Sequence, residues 1–235
     1  MIHIENLYKS FGKNKVLEGI DLSISDKGIF AILGPNGSGK TTLIKSILGM
    51  VITDNGTISI NGNSIKNKWN YRNEIDYLPQ IANFPANLTV QELIKMIKDL
   101  RNLRGEDQQL IDLFKLSPFL NKKLSNLSGG TKQKVNLLLT LMFDSPLIIL
   151  DEPTTGLDPI ALLHLKKLIL QEKAKGKTIL ITSHIMSFVE EMADQIVFLL
   201  EGKVYFKGDI TALLTQTDEP NFEHAIANLL TKQNV

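Results

Sequence analysis

Gly28-Ile29-Phe30-Ala31-Ile32-Leu33-Gly34-Pro35-Asn36-Gly37-Ser38-Gly39-Lys40-Thr41-Thr42 is the stretch that decides how this chain is read. Its first six residues form an unbroken apolar run after the opening glycine, the mark of a strand buried on both faces. The run stops at Gly34. Leu43, Ile44, Ile47 and Leu48 then recur at helical spacing until Gly49 ends the pattern. Strand, glycine loop and helix together open an α/β unit. Gly34 to Thr41 satisfies G-x-x-x-x-G-K-[ST] in the strand-to-helix setting the motif requires. Glycines let the backbone curl so that successive N–H groups converge on phosphate oxygens, and the helix N-terminus adds partial positive charge. In this arrangement Lys40 neutralises β- and γ-phosphate charge and Thr41 offers a hydroxyl to Mg²⁺. Gly34, Pro35, Asn36, Gly37, Ser38, Gly39 and Thr42 complete the expected phosphate-binding set.

Ahead of this unit, Ile2 to Leu7 and Val16 to Ile24 alternate as short strands around the turn-rich Gly12-Lys13-Asn14-Lys15, which predicts an antiparallel hairpin. Thr57 to Ile60 with Asn61-Gly62 predicts another. The pattern then changes. Thr89 and Glu92 form a capping box, and Leu93, Ile97 and Leu100 predict one face of a helix over 89–103, so about 81–128 reads as a mostly helical insertion. Gly129 to Phe143 is helix-compatible, Leu147 to Leu150 is a strand, and Asp158 with Pro159 supplies the N-cap and first position of a helix to about Lys175. Thr178 to Thr182 follows as a strand. A last hairpin joins Ile196–Leu200 to Val204–Phe206 through Glu201-Gly202, and a short tail runs over about 209–235. Strands alternating with helices after 128 imply a parallel sheet with right-handed crossovers. No internal repeat or linker-like run divides the 235 residues.

Leu147-Ile148-Ile149-Leu150-Asp151-Glu152 ends a buried strand in two carboxylates, at the sheet edge where open α/β folds bind ligands. Asp151 suits Mg²⁺, and Glu152 suits the orientation or deprotonation of a water attacking the γ-phosphate. Both also fit solvated positions opening the loop Pro153-Thr154-Thr155-Gly156. The guanine-reading N-K-x-D is not present, because Asn121-Lys122 continues Lys123-Leu124, which disfavours a GTPase. The composition is that of an ordinary globular chain, 43% hydrophobic and 22% charged, and argues against disorder. With 26 basic against 25 acidic side chains, no global charge advertises a nucleic-acid partner. The absence of cysteine excludes disulfides and thiolate chemistry and points to a reducing compartment. Met1 to Asn6 lacks the basic start and apolar stretch of a signal peptide, which predicts a chain that is not exported, and the longest apolar runs are far short of the roughly 20 residues of a membrane span.

Leu127-Ser128-Gly129-Gly130-Thr131-Lys132-Gln133, shortly before the Leu147–Glu152 strand, resembles the signature of the ATP-binding cassette (ABC) family, and the resemblance covers essentially the whole chain. Gln80 in Tyr77-Leu78-Pro79-Gln80 resembles the family's Q-loop, and Thr155-Gly156-Leu157-Asp158 its D-loop. His184 resembles the switch histidine and Phe11 the aromatic that stacks on adenine. The resemblance implies a P-loop NTPase fold: a RecA-like α/β core, an N-terminal antiparallel β subdomain and an inserted helical subdomain. It also implies ATP and Mg²⁺ as ligands, with Gln80 sensing the metal and the γ-phosphate. Ser128 is a good N-cap, and Gly129 and Gly130 expose N–H groups at a helix start, a second anion-binding end. By resemblance, that end and Asp158 serve the ATP held by a second copy, so two ATP molecules lie between two head-to-tail subunits. The implied work is ATP hydrolysis for a separate integral membrane permease at the cytoplasmic face of the membrane. A soluble ABC-type ATPase acting on nucleic acid or ribosomes is the alternative, disfavoured by the balanced charge and by the lack of a long coiled-coil insertion or second cassette. The signature departs from the usual pattern at Thr131, where glutamine is common, and at Lys134, where arginine is. Thr154-Thr155-Gly156-Leu157-Asp158-Pro159 and Asn221-Phe222-Glu223-His224-Ala225-Ile226 look like ABC-2-type exporters, and within them like the ATPases that serve copper-site maturation of nitrous oxide reductase. As bare residues, Phe11 also fits a hairpin core position, Gln80 a polar loop and His184 an exposed helix start.

Overall fold

Alternation builds the first elements of the structure, a computed structural model that describes residues 1–24 and 27–231. Strand β1 (Ile2–Phe11) buries Ile2 and Ile4 and exposes His3 and Glu5. Strict alternation would turn Asn6 inward. A bulge there, with Asn6 at φ 47, shifts the register so that Leu7 is buried. Strand β2 (Asn14–Ile24) pairs antiparallel with β1 up to Phe11↔Asn14, so the turn is Gly12-Lys13 alone, tighter than the four-residue turn expected. The fully buried β3 (Gly28–Leu33) leads to helix α1 (Lys40–Ile47). Strand β4 (Asn55–Ile60) pairs antiparallel with β1 and turns at Asn61-Gly62 into β5 (Asn63–Ser64), giving a sheet of order β2-β1-β4-β5.

The chain forms two compact units, residues 73–177 being one and the flanking segments the other. Within 73–177, β6 (Ile75–Leu78) runs parallel to a later strand, β7 (Leu147–Asp151), with Tyr77 opposite Ile149. Sequence periodicity did not reveal β6, because Asp76 interrupts its four residues. The structure buries that carboxylate and satisfies it with Arg101 and Ser145. Helix α2 (Val90–Arg101) carries the expected Thr89/Glu92 capping box. Its buried residues are Val90, Leu93 and Ile94, however, while Leu100, at the edge of that stripe, is exposed. Helix α3 (Asp107–Leu113) follows, then α4 (Gly129–Leu141), capped by Ser128, and α5 (Pro159–Ala174), capped by Asp158.

Lys177, at the end of this unit, is nearly buried and ion-pairs with Asp144 at 2.7 Å and with Glu172. Burial alone would lower its pKa. Hydrogen bonds to the two carboxylates outweigh burial and hold it above the ordinary lysine value of 10.5. A group raised in this way stabilises the fold below its unfolded pKa and ceases to do so as pH climbs through the folded one. Lys177→Met is expected to cost about 1 kcal/mol at pH 8, since Asp144 is exposed and Glu172 keeps Lys175 at 2.8 Å. Urea unfolding should show that deficit shrinking as the pH is taken past 10.5.

The remaining elements rejoin the first unit. Strand β8 (Thr178–Thr182) pairs parallel with β3, and helix α6 (Met186–Met192) connects it to β9 (Gln195–Leu200), which lies parallel on the other side of β3. Strand β10 (Lys203–Gly208) closes the expected hairpin with β9. The tail is more than a tail: α7 (Ile210–Thr217) and α8 (Phe222–Thr231) place Leu213, Phe222, Ala225 and Ile226 in a core with Val189, Ile196 and Phe198. The last four residues of the expected tail, 232–235, lie outside the described residues.

Candidate nucleotide-binding site

In the first unit, the loop after β3 is held by its neighbours into a shape that glycine alone permits. A Cβ on Gly34 would stand 1.9 Å from the Leu199 carbonyl oxygen of β9, an impossible approach. The turn after β9 also reaches this loop, for the Gly202 N–H donates to the Ser38 carbonyl at 3.2 Å. Helix α1 begins at a glycine cap, Gly39 at φ 105, with no side chain bonded to its first N–H groups and no acidic residue in its first turn. Those N–H groups point where an anion would be received. Lys40 folds back over the loop, its ammonium donating to the carbonyls of Gly34 at 2.7 Å and Pro35 at 2.9 Å. The Ser38 hydroxyl is buried and meets no hydrogen-bond partner among the described residues, a polar atom suited to phosphate oxygen. Asn36 and Gly37 are exposed at the loop's tip, and Thr41 and Thr42 are half-buried on the first turn. Phe11, a core candidate by sequence, is instead 53% exposed at the end of β1. His184 is exposed in the loop between β8 and α6.

The second unit holds the other candidates. Strand β7 ends at Asp151, and both Asp151 and Glu152 are buried, so neither is a solvated loop residue. Glu152 adopts φ 52, a left-handed conformation that costs a residue with a side chain and persists where the surrounding structure enforces it. Gln80 is exposed just beyond β6. At α4 the Ser128 hydroxyl accepts from the Thr131 N–H at 3.3 Å, and a Cβ on Gly129 would meet only open space, so this helix start is accessible. Lys134 ion-pairs with Asp158 at 2.5 Å and holds that carboxyl below the usual carboxylate range, while the other Asp158 oxygen caps α5 through the Ala161 N–H. Lysine at 134 thus keeps a cation on the Asp158 carboxylate. Burial, reinforced by Asp151, pushes the Tyr77 phenol up to about 12, so it stays neutral near that carboxylate.

Sequence reading missed three residues of α4. Gln133 donates to the Pro153 carbonyl at 3.2 Å, Asn136 to the Pro79 carbonyl at 3.2 Å, and Thr140 to the Tyr77 carbonyl at 3.3 Å. One helix therefore fixes the backbone just before Gln80 and just after Glu152. The signal was present: polar residues at helical spacing, interleaved with Val135, Leu137 and Leu138, form a stripe that a surface face would not place among core residues.

A family model described as ABC transporter matches residues 17–155, from β2 through the loop after Glu152. The chain belongs to the ABC transporter family. Among ABC relatives, the lantibiotic transport ATP-binding protein SrtF of Streptococcus pyogenes is 34% identical, covering 87% of this chain and 89% of its own length. The Nod factor export ATP-binding protein I of Burkholderia orbicola is 33% identical over 91% and 72%. A solved structure described as the ATP-binding subunit of an ABC transporter superposes with a TM-score of 0.90 at 29% identity, covering 98% and 99% of the two chains. The protein is an ABC ATP-binding subunit, an ATPase with a P-loop NTPase fold and an antiparallel β subdomain. Among the described residues, no helix is long and apolar enough to cross a membrane, and no cluster of three or more His, Asp or Glu could hold a metal alone. The Thr41 hydroxyl and the Asp151 carboxylate are each hard oxygen donors, the chemistry Mg²⁺ takes from a protein one or two at a time.

Proposed function

We propose that this subunit drives a separate integral membrane permease of the exporter class from the cytoplasmic face, two copies closing over two molecules of Mg²⁺-ATP. The observation that carries the reading is the helix start at Ser128-Gly129-Gly130, open at Gly129 and without an acidic residue in its first turn, in a chain that already has a phosphate loop at Gly34–Thr41. Two anion-receiving helix ends in one chain fit an ATP bound by the loop of one copy and capped by the α4 start of the other. Phe11 stacks on the base, and Lys40 with the loop N–H groups holds the phosphates. Thr41 and Asp151 would supply oxygens to Mg²⁺ and Gln80 would sense it, while Glu152 activates water and His184 steadies the γ-phosphate. Asp158 organises the opposite copy's site, and the helical segment of about 81–128 passes the motion to the permease. The export direction rests on the likeness to the Nod factor export protein, while SrtF supports transport. Service to copper-site maturation of nitrous oxide reductase, a narrower role, rests on the likeness to ABC-2-type exporters at 154–159, in the short helical insertion and at 221–226. Phe222, Ala225 and Ile226 of that stretch are core residues of α8, so packing alone accounts for them.

Gly129→Asp tests the closed pair, since the space around Gly129 admits the side chain but a carboxylate there repels phosphate. Sedimentation should show the ATP-dependent dimer lost while ATP affinity of the single subunit stays intact. A dimer unaffected by the substitution overturns the reading. Affinity purification from solubilised membranes should recover a multi-span protein; recovery of RNA or ribosomes instead would favour the soluble alternative.

A further inference from the structure

Lys9 and Phe11 stand two residues apart on β1 and so share one face of the strand. The Lys9 ammonium lies over the Phe11 ring, 5.1 Å from its centre, within the range of cation–π attraction. Asp54, 45 residues away in sequence, puts it there. Asp54 Oδ1 accepts from Lys9 Nζ at 2.9 Å and Oδ2 accepts from the Ser10 N–H at 2.6 Å, while the Asp54 N–H donates to the Tyr8 carbonyl at 2.9 Å. Two bonds to the β1 backbone fix the carboxylate, and the carboxylate fixes the ammonium. The Lys9 side chain is only 15% exposed, yet the ring it covers is 53% exposed. Core packing explains neither a strand end that displays an aromatic ring nor a cation clamped onto it.

We propose that Lys9, held by Asp54, is a positioning residue for nucleotide: it keeps the Phe11 ring oriented and draws electron density toward its own side, so that the remaining ring surface stacks on the base. This rests on the reading of Phe11 as the base-stacking residue. The effect passes through the ring and needs the base. A salt bridge that only braced the hairpin would act on folding and be indifferent to both.

The test is calorimetric titration of the full-length chain with ATP and with inorganic tripolyphosphate, which has no base. Lys9→Met and Asp54→Asn are each expected to weaken ATP by about two- to fivefold, the size of an exposed cation–π contact. Lys9→Arg should restore the affinity, tripolyphosphate binding should be unchanged in every variant, and Lys9→Met should add nothing in a Phe11→Ala background. An equal loss for tripolyphosphate, or a Lys9→Met loss that persists without the ring, overturns the proposal. So does an unaltered ATP affinity in Lys9→Met when Phe11→Ala weakens it. If Phe11→Ala itself leaves ATP affinity unchanged, base stacking at Phe11 falls and the role of Lys9 falls with it, which separates the two failures.

Discussion

Glu152→Gln is expected to lower ATP turnover about 10²- to 10⁴-fold, the range for loss of a general base, while ATP binding is retained. The amide keeps the shape of the side chain and can still accept and donate hydrogen bonds, but it cannot take a proton from water. Glu152 is buried directly after Asp151, in a left-handed backbone conformation. Residues with side chains hold that conformation at a cost of order 1–3 kcal/mol, so the surrounding structure must enforce it. Gln133 of α4 contributes by fixing the Pro153 carbonyl next to it. A single-turnover assay with saturating ATP separates chemistry from binding, and turnover within a few-fold of the unsubstituted protein would remove Glu152 from the mechanism. Because two copies are proposed to close over intact ATP, the same variant should also accumulate as the ATP-bound dimer.

The second large effect is expected at the other end of the nucleotide. Lys40→Ala removes the ammonium that bridges the Gly34 and Pro35 carbonyls. On the proposed reading it also removes a charge-assisted bond to phosphate, worth about 1.5–3 kcal/mol, so ATP affinity should fall roughly 10- to 150-fold by titration. Lys40→Arg should recover little of it, because a broad planar guanidinium does not replace a compact point charge inside a tight backbone curl. An unaltered ATP affinity in Lys40→Ala would contradict the phosphate-loop reading, whatever happened to turnover.

Short-range features were legible from the residues because their causes are short-range. The loop Gly34–Thr41, the caps Ser128 and Asp158, the Thr89/Glu92 capping box and the hairpins at Asn61-Gly62 and Glu201-Gly202 all depend on partners within a few positions. Periodicity likewise announced β3, β7 and β8, whose apolar runs need no knowledge of neighbours. It failed at β6, where Asp76 is tolerated in the strand because Arg101, 25 residues on, and Ser145, 69 residues on, meet it at 2.6 and 2.8 Å. The tail failed for a related reason: short helices such as α7 and α8 have little stability of their own and are defined by the core they cover.

By itself, then, the sequence determined the family, the phosphate loop, the two helix ends and the identities of Asp151 and Glu152, since each is written in adjacent residues whose backbone chemistry is local. Only the tertiary structure decided that Glu152 sits buried at a left-handed φ and that Phe11 is displayed. It also decided that Asn136 reaches back 57 residues to the carbonyl before Gln80, and that Asp54 reaches 45 residues to aim Lys9. Each of these depends on which distant segment arrives beside a given side chain. Packing of the whole unit selects that neighbour, and no local pattern of residue types encodes it.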